Sequence, residues 1–329
     1  MYLMDFKNFT ATENDNGRRV DRVIRKLLPN LPMTAIYKNI RKGFIKINNK
    51  RIKNNENVNI NDVINIATFL IDSLEKQENN NDYITKTKIK IEDIFCNEYV
   101  RIINKPYDVV VQGSNDKSIS LSEQILADYL SKNKHSLSFK PGPLHRLDKK
   151  TTGVLVFSQN LKGAQYVSSL IQNHLIKKTY IAIIEGYLSN KVIWNESILR
   201  EKTNKTNTFN TSKIDDSGKE ALTYAKPLAY GKYNNKNITL VEFIIKTGRT
   251  HQIRLHASSH GFPLLGDTAY GSFQRQQTQD FFLHAIKLEF PKDNLINLPE
   301  KVIAPLPKKF ENMIKIYFKS FDFSQYITI

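Results

Sequence analysis

The sequence predicts an α+β protein: a mixed, largely antiparallel sheet in a large C-terminal domain, preceded by a small N-terminal α/β domain. Two observations carry this. Strand-like runs at 179–184, 240–245 and 281–290 are interspersed with few helices and show no regular βαβ alternation. Ahead of them, residues 18–66 gather two amphipathic helical stripes and two short alternating strands into one span. The 329 residues suffice for two domains with a sizeable core. We expect a tail over 1–17, a first domain over 18–75, a linker over 76–90 and a second domain over 91–329.

Residues 18–28 place Val20, Val23, Ile24, Leu27 and Leu28 on one helical face, and Pro29 and Pro32 end the run. Residues 33–42 repeat the pattern with Ile36, Tyr37 and Ile40, and Gly43 stands where a left-handed C-terminal cap belongs. Short strands follow at 44–48 and 63–66, with a turn over 48–50. Residues 76–90 are polar and lack apolar periodicity until their end, the composition of a flexible tether. In the second domain, 99–104 reads as a strand that 109–111 continues beyond a turn, while 121–130 and 161–175 have helical spacing. The run at 179–184 is a strand closed by Gly186, and 195–219, crowded with Asn, Thr and Lys, is an exposed excursion between strands.

A net charge of +17 calls for an acidic partner, most simply nucleic acid. Lysine is a weak witness here, because Lys, Asn and Ile are abundant together throughout the chain. Arginine is stronger: of only 12 in the chain, six fall between Arg18 and Arg51, and Arg146, Arg249 and Arg254 sit beside the motifs below. Planar guanidinium forks grip phosphate bidentately, so this placement favours phosphate contact. Between Arg18 and Lys53, 12 basic residues face a single acid, Asp21. No segment approaches the roughly 18 apolar residues of a membrane helix, and the first 17 residues have no apolar core of a signal peptide. A lone Cys96 excludes an internal disulfide and a multi-cysteine metal site. These features predict a soluble, cytoplasmic protein, with monomer as the default state.

The richest stretch is 141–159. Turn formers open it, the apolar run 154–157 closes it as a strand, and His145-Arg146-Leu147-Asp148 lies between, followed by Thr151, Thr152 and Gly153. A carboxylate beside an arginine, on a loop before a buried strand, is placed for chemistry on a polyanion. Taken alone the stretch also suits a solvated turn in which Asp148 and Thr151 cap backbone groups.

Several motifs together give a resemblance. Residues 19–21, 31–32, 36–37, 40–43 and 63–64 resemble the small RNA-binding domain named after a ribosomal small-subunit protein. His145-Arg-Leu-Asp-Lys-Lys-Thr-Thr-Gly-Val-Leu155, Lys177-Lys-Thr-Tyr180 and Gly248-Arg-Thr-His-Gln-Ile-Arg-Leu-His256 resemble, in order, the motifs of the RluA/RluC-type pseudouridine synthases. Gly266-Asp267-x-x-Tyr270-Gly271 and Leu283-His284-Ala285 resemble further landmarks of that family. The resemblance implies a synthase acting on structured, large-subunit ribosomal RNA without metal or organic cofactor.

It also implies roles. Asp148 is the essential carboxylate, whether it attacks C1′, attacks the base or abstracts a sugar proton. Arg146 fills the space of the flipped-out uridine. Tyr180 stacks under the base, Arg254 pairs with Asp148 and keeps it ionised, Arg249 meets phosphate, and His145 supports the loop by hydrogen bonding. Arg19, Arg22, Lys38, Arg41, Lys42 and Arg51 are the expected RNA contacts of the first domain. His256 and His260 fall one helical turn apart, but no acidic or cysteine partner beside them completes a metal set except Asp267.

The sequence departs from the family after Lys105-Pro106, where Asp108 and Gln112 replace a Gly and a His; Thr152 stands for a Ser. Two other readings share most of these residues: a non-catalytic RNA-binding assembly factor, and a relative acting on transfer RNA or other sites. A nucleic-acid glycosidase would need two carboxylates, and the motifs supply only Asp148.

Overall fold

Residues 4–75, 89–113, 119–132, 136–200, 212–272, 280–319 and 321–323 are described by a computed structural model, and the chain divides into two units. The first comprises Met1–Ile89, Asn115–Gly142 and Gln159–Lys162; the second comprises Lys90–Ser114, Pro143–Ser158 and Gly163–Ile329. Residues 115–142 fall inside the span that the sequence assigns to the second domain, yet they group with the first unit. The expected linker lies almost wholly outside the described residues.

In the first unit, β1 (Phe6–Thr10), β3 (Val63–Ala67) and β2 (Ile45–Ile47) form an antiparallel sheet in that order. The sequence leaves Phe6–Thr10 in a tail, because its half-exposed edge strand has no apolar alternation to announce it. Helices α1 (Val20–Leu27) and α2 (Met33–Lys42) bury Val20, Val23, Ile24, Ile36 and Ile40, the apolar face that the spacing predicts. Gly43 caps α2 at φ 76°. Helix α3 (Thr68–Glu75) follows β3.

Helix α4 (Leu121–Ser131) opens on a capping box of Ser120 and Glu123. Just beyond it, the buried Asp15 carboxylate accepts from Ser138 N (2.9 Å), Ser138 Oγ (2.5 Å), Ser136 Oγ (3.0 Å) and Thr12 N (3.0 Å). Burial alone would raise its pKa, but these donors hold it below the usual carboxylate value. Asp15 thereby fastens residues 136–138 to the N-terminal segment.

The second unit is built on a nine-stranded sheet. In chain order its strands are β4 (Glu92–Cys96), β5 (Val100–Lys105), β6 (Thr152–Ser158), β7 (Lys177–Glu185), β8 (Val192–Trp194), β11 (Thr223–Tyr233), β12 (Lys236–Ile245), β13 (Leu283–Glu289) and β14 (Lys301–Ile303). The spatial order is β4-β5-β6-β13-β7-β12-β11-β8, with β14 on β13. Only β6 and β13 pair in parallel within it, as the expected mixed, largely antiparallel sheet requires. The short strands β9 (Ile198–Arg200) and β10 (Ser212–Ile214) pair separately, inside the segment expected to be irregular; residues 201–211 lie outside the described residues. No strand forms at 109–111.

Strand alternation sends neighbouring side chains to opposite faces. Tyr180, Ala182 and Ile184 of β7 pack with Val241, Phe243 and helix α6 (Gln252–Ser259), whereas Ile181 and Ile183 face Leu240 and helix α7 (Lys308–Tyr317). Helix α5 (Leu161–Gln172) covers β5 and β6 through Val167 and Leu170. Both faces of the central strands are therefore covered, so they read as continuous apolar runs. No helix among the described residues is long and apolar enough to cross a membrane.

His284 on β13 ties this centre together. It is fully buried, its Nδ1 is 2.7 Å from Thr152 Oγ1 on β6, and its Nε2 is 3.2 Å from the Ala304 carbonyl. Nε2–H therefore donates to the carbonyl and Nδ1 accepts from the hydroxyl, a neutral imidazole. Burial pushes its pKa down to about 4. An unfolded His titrates near 6.5, so between pH 6.5 and 4 the unfolded chain binds the extra proton and stability falls with falling pH. The loss levels off below pH 4 at up to roughly 3 kcal/mol. Urea unfolding from pH 7 to 4 is expected to show a shallower decline in His284→Gln than in the wild type; equal slopes would contradict the neutral, buried imidazole.

Candidate active site

Loop 143–151 carries Asp148 and is held from behind by a buried lysine. Lys105, at the end of β5, is fully buried, and its ammonium donates to the carbonyls of Pro106 (2.9 Å), Lys149 (2.7 Å) and Thr151 (2.9 Å). Burial lowers its pKa to about 7, against the pull of Asp148 and Asp108. Thr151 N donates to the Asp148 carbonyl at 3.0 Å, closing the turn. On the loop's other side, His145 Nε2 accepts from Val156 N (3.2 Å) and Leu144 N donates to the Val156 carbonyl (2.8 Å). Desolvation, with Lys178 nearby, takes His145 down to about 4, which keeps it a neutral acceptor. At the departure from the family pattern, Asp108 adopts φ 60°, the left-handed region that glycine enters freely and aspartate tolerates.

The second wall is residues 246–251 and α6. Gln252 fixes its turn: Oε1 accepts from Thr247 Oγ1 (2.7 Å) and Arg249 N (3.0 Å), and Nε2 donates to Leu222 O (3.1 Å) and Thr223 Oγ1 (2.9 Å). Two residues further along α6, Arg254 sends Nε and Nη2 to the buried Asp267 carboxylate (2.6 and 2.9 Å) and Nη1 to Asp148 Oδ2 (3.2 Å). Its guanidinium also lies 4.4 Å from the Phe281 ring centroid and 4.9 Å from that of Tyr270. Burial opposes the charge, but Asp267 and Asp148 outweigh it and raise the pKa above the ordinary arginine value. His251 sits at φ 55°, its Nδ1 2.8 Å from Tyr270 Oη and its Nε2 3.8 Å from Asp148 Oδ1.

These walls line a cleft of about 800 Å³ with a small adjoining recess. Asp148, Tyr180, Arg146, Arg249 and His251 line both parts, and Arg254 reaches the recess. Tyr180 is buried on β7, and desolvation, reinforced by Asp148, raises its phenol above its ordinary pKa. Arg146 is exposed, while Arg249 donates Nε–H to the Glu220 carbonyl at 2.9 Å. Lys178, two residues before Tyr180 and so on the same face of β7, also lines the cleft, as does Gln112. Asp148 is the sole carboxylate among the lining residues described.

In the first unit, Arg22, Lys38, Arg41, Lys42 and Arg51 are exposed. Arg19 is instead engaged: its Nε and Nη2 reach the buried Asp21 carboxylate (3.2 and 2.7 Å), which also accepts from Tyr37 Oη (3.1 Å). Of the three histidines near α6, His251 alone lines the cleft. His256 is held by Thr223 Oγ1 and the Glu196 carbonyl, and His260 pairs with the Glu196 carboxylate at 2.7 Å.

Sequence reasoning did not single out Lys105, Asp267 or Gln252 as parts of the site. The one available signal was the position of Lys105 and Asp267 inside short motifs containing Pro or Gly; their partners are distant in sequence. Breaking a buried ion pair by removing one member leaves the other charge uncompensated. Asp267→Ala is therefore expected to lose about 3–5 kcal/mol of unfolding free energy in urea denaturation, and a loss under about 1 kcal/mol would contradict the buried pair.

Known proteins are similar in sequence over nearly the whole chain. Residues 99–259 match the family described as RNA pseudouridylate synthase. A ribosomal large subunit pseudouridine synthase C from Rickettsia typhi is 31% identical over 304 residues, covering 89% of this chain and 95% of that protein. A ribosomal large subunit pseudouridine synthase D from Borreliella burgdorferi is 28% identical, with 95% and 93% covered. Among solved structures, human RNA pseudouridylate synthase domain containing 1 shares the fold, with a TM-score of 0.55 at 22% identity over 72% of this chain and 93% of that one. With the matched span running from β5 to the end of α6, and a relative of this identity aligned almost end to end, the chain belongs to the RNA pseudouridylate synthases, which are isomerases.

Proposed function

We propose that the protein converts uridine to pseudouridine in large-subunit ribosomal RNA in the cytoplasm, with Asp148 as the essential carboxylate. The observation that carries this reading is that Asp148 is the one carboxylate among the described lining residues of a cleft that also presents Arg146, Lys178, Arg249 and Arg254. A polyanion is drawn to such a cleft, and one acceptor group remains to act on the sugar or base. Isomerisation breaks C1′–N1 and forms C1′–C5; the proton leaving C5 goes to solvent, and N1 gains one.

Each neighbour then has a task. Arg254, anchored by Asp267, aims Asp148. Tyr180, buried on β7 with its phenol pKa raised by desolvation and by Asp148, packs against the uracil face. Arg146, exposed at the mouth, fills the space that the flipped nucleotide vacates, and Arg249 meets a phosphate. His145 and Lys105 hold the loop from outside the reaction. The relatives named as large-subunit synthases support the ribosomal address. In the first unit, exposed Arg22, Lys38, Arg41, Lys42 and Arg51 bind structured RNA through phosphate, with Arg19 ordering α1 through Asp21.

A glycosidase would release free uracil and use a second carboxylate, which the described lining does not offer. On ribosomal RNA labelled with tritium at uridine C5, the wild type is expected to release tritium without free uracil. Asp148→Asn is expected to lose at least about 10³-fold in rate while still binding RNA. Release persisting in that variant would sink the assignment. Neutralising Lys38, Arg41 and Lys42 together is expected to flatten the salt dependence of RNA binding by about 2 in log–log slope; an unchanged slope would remove those residues from the interface.

A further inference from the structure

The recess beside Asp148 contains a polar group to which the proposed function gives no task. Thr151 is 2% exposed and lines the recess with Asp148, Tyr180 and Leu283, yet its Oγ1 has no hydrogen-bond partner among the described residues. Buried hydroxyls are nearly always paired, because an unpaired one forfeits its hydration. The Thr151 N–H is committed to the Asp148 carbonyl and its own carbonyl to Lys105 Nζ, so the backbone of this residue is fixed beside the recess.

The adjoining polar side chains are already engaged. Arg254 spends its three nitrogens on Asp267 and Asp148, and both ends of the Gln252 amide are taken. Thr152, the next residue, gives its hydroxyl to His284. Two threonines in sequence thus divide the work: one hydroxyl closes the sheet, and the other stays available.

We propose that Thr151 is a base-contacting residue whose Oγ1–H donates to a carbonyl oxygen of the flipped uracil. This rests on the reading of the recess as the place where uridine is isomerised. The chemistry favours a carbonyl. When C1′–N1 breaks, the electron pair stays with the base and its charge spreads over N1, O2 and O4. Asp148, the nearest carboxylate, offers only acceptors to that anion. A neutral donor already in place stabilises it without reorganising. Bringing C5 to the position of N1 turns the ring about the line through N3 and C6, which exchanges O2 and O4. One stationary hydroxyl therefore meets a carbonyl both before and after the turn.

Thr151→Val keeps the branched shape and removes the hydroxyl; Thr151→Ser keeps the hydroxyl. In tritium release from C5-labelled ribosomal RNA, Thr151→Val is expected to lower kcat about 10- to 100-fold. Its KM should move less than about threefold, because the bond strengthens as charge develops. Thr151→Ser should return to within about threefold of the wild type. The thermal midpoint of Thr151→Val should equal or exceed the wild-type value, since the lost hydroxyl was unpaired; a structural role would lower it. A wild-type kcat in Thr151→Val overturns the inference, as does a serine variant as slow as the valine one. Either result leaves the proposed function standing if the wild type releases tritium, whereas a wild type that releases none defeats both.

Discussion

The Arg254 guanidinium is the joint on which the cleft depends. Two of its nitrogens are locked on Asp267, out of reach of water, and the third extends to Asp148 on a different loop. The buried pair supplies a fixed positive charge whose direction is set by the planar fork, which a lysine ammonium on a flexible stem could not reproduce. Phe281 and Tyr270 pack against the guanidinium, so the joint is also part of the core.

Around this joint the sheet acts as a jig. Loop 143–151 leaves the start of β6, Tyr180 projects from β7, Ile245 ends β12 and Leu283 begins β13, so neighbouring strands present one constellation. The loops between them are held by buried side chains bonded to the backbone: Lys105 Nζ donates to carbonyls behind Asp148, and Gln252 Oε1 accepts from Arg249 N. Placement to a fraction of an ångström is what positional catalysis demands. A polar interior at these two points is the cost of that precision, and full hydrogen bonding is how it is met.

Local physics was legible in the sequence. Helices α1 and α2, with the Gly43 cap, follow from apolar spacing and one left-handed glycine, and the central strands follow from apolar runs. Four features were not. β1 is an edge strand whose pattern is carried by only Phe6 and Phe9. Helix α6 begins at a left-handed histidine and buries Arg254 and His256 as well as its apolar residues, so no amphipathic stripe marks it. The apolar run 109–111 does not become a strand, since residues 107–108 turn the chain and Asp108 adopts a positive φ. Residues 136–138 are tied to Asp15, 120 or more residues away in sequence. For the site, motif resemblance pointed to Asp148, Tyr180 and Arg254 together, but Asp267 and Lys105 act through partners that only the fold brings near.

Charge is divided in the same spirit. Arginines line the cleft, and Arg22, Lys38, Arg41, Lys42 and Arg51 are exposed on the first unit. Under the proposed function the exposed set would supply shape-tolerant phosphate contacts and the cleft the chemistry. The most direct test is pseudouridine mapping by chemical labelling of ribosomal RNA from cells lacking the gene, complemented with wild type or Asp148→Asn. The account predicts that specific large-subunit pseudouridines vanish without the gene, return with the wild type and stay absent with Asp148→Asn. Their return with Asp148→Asn, or an unchanged map without the gene, would contradict it.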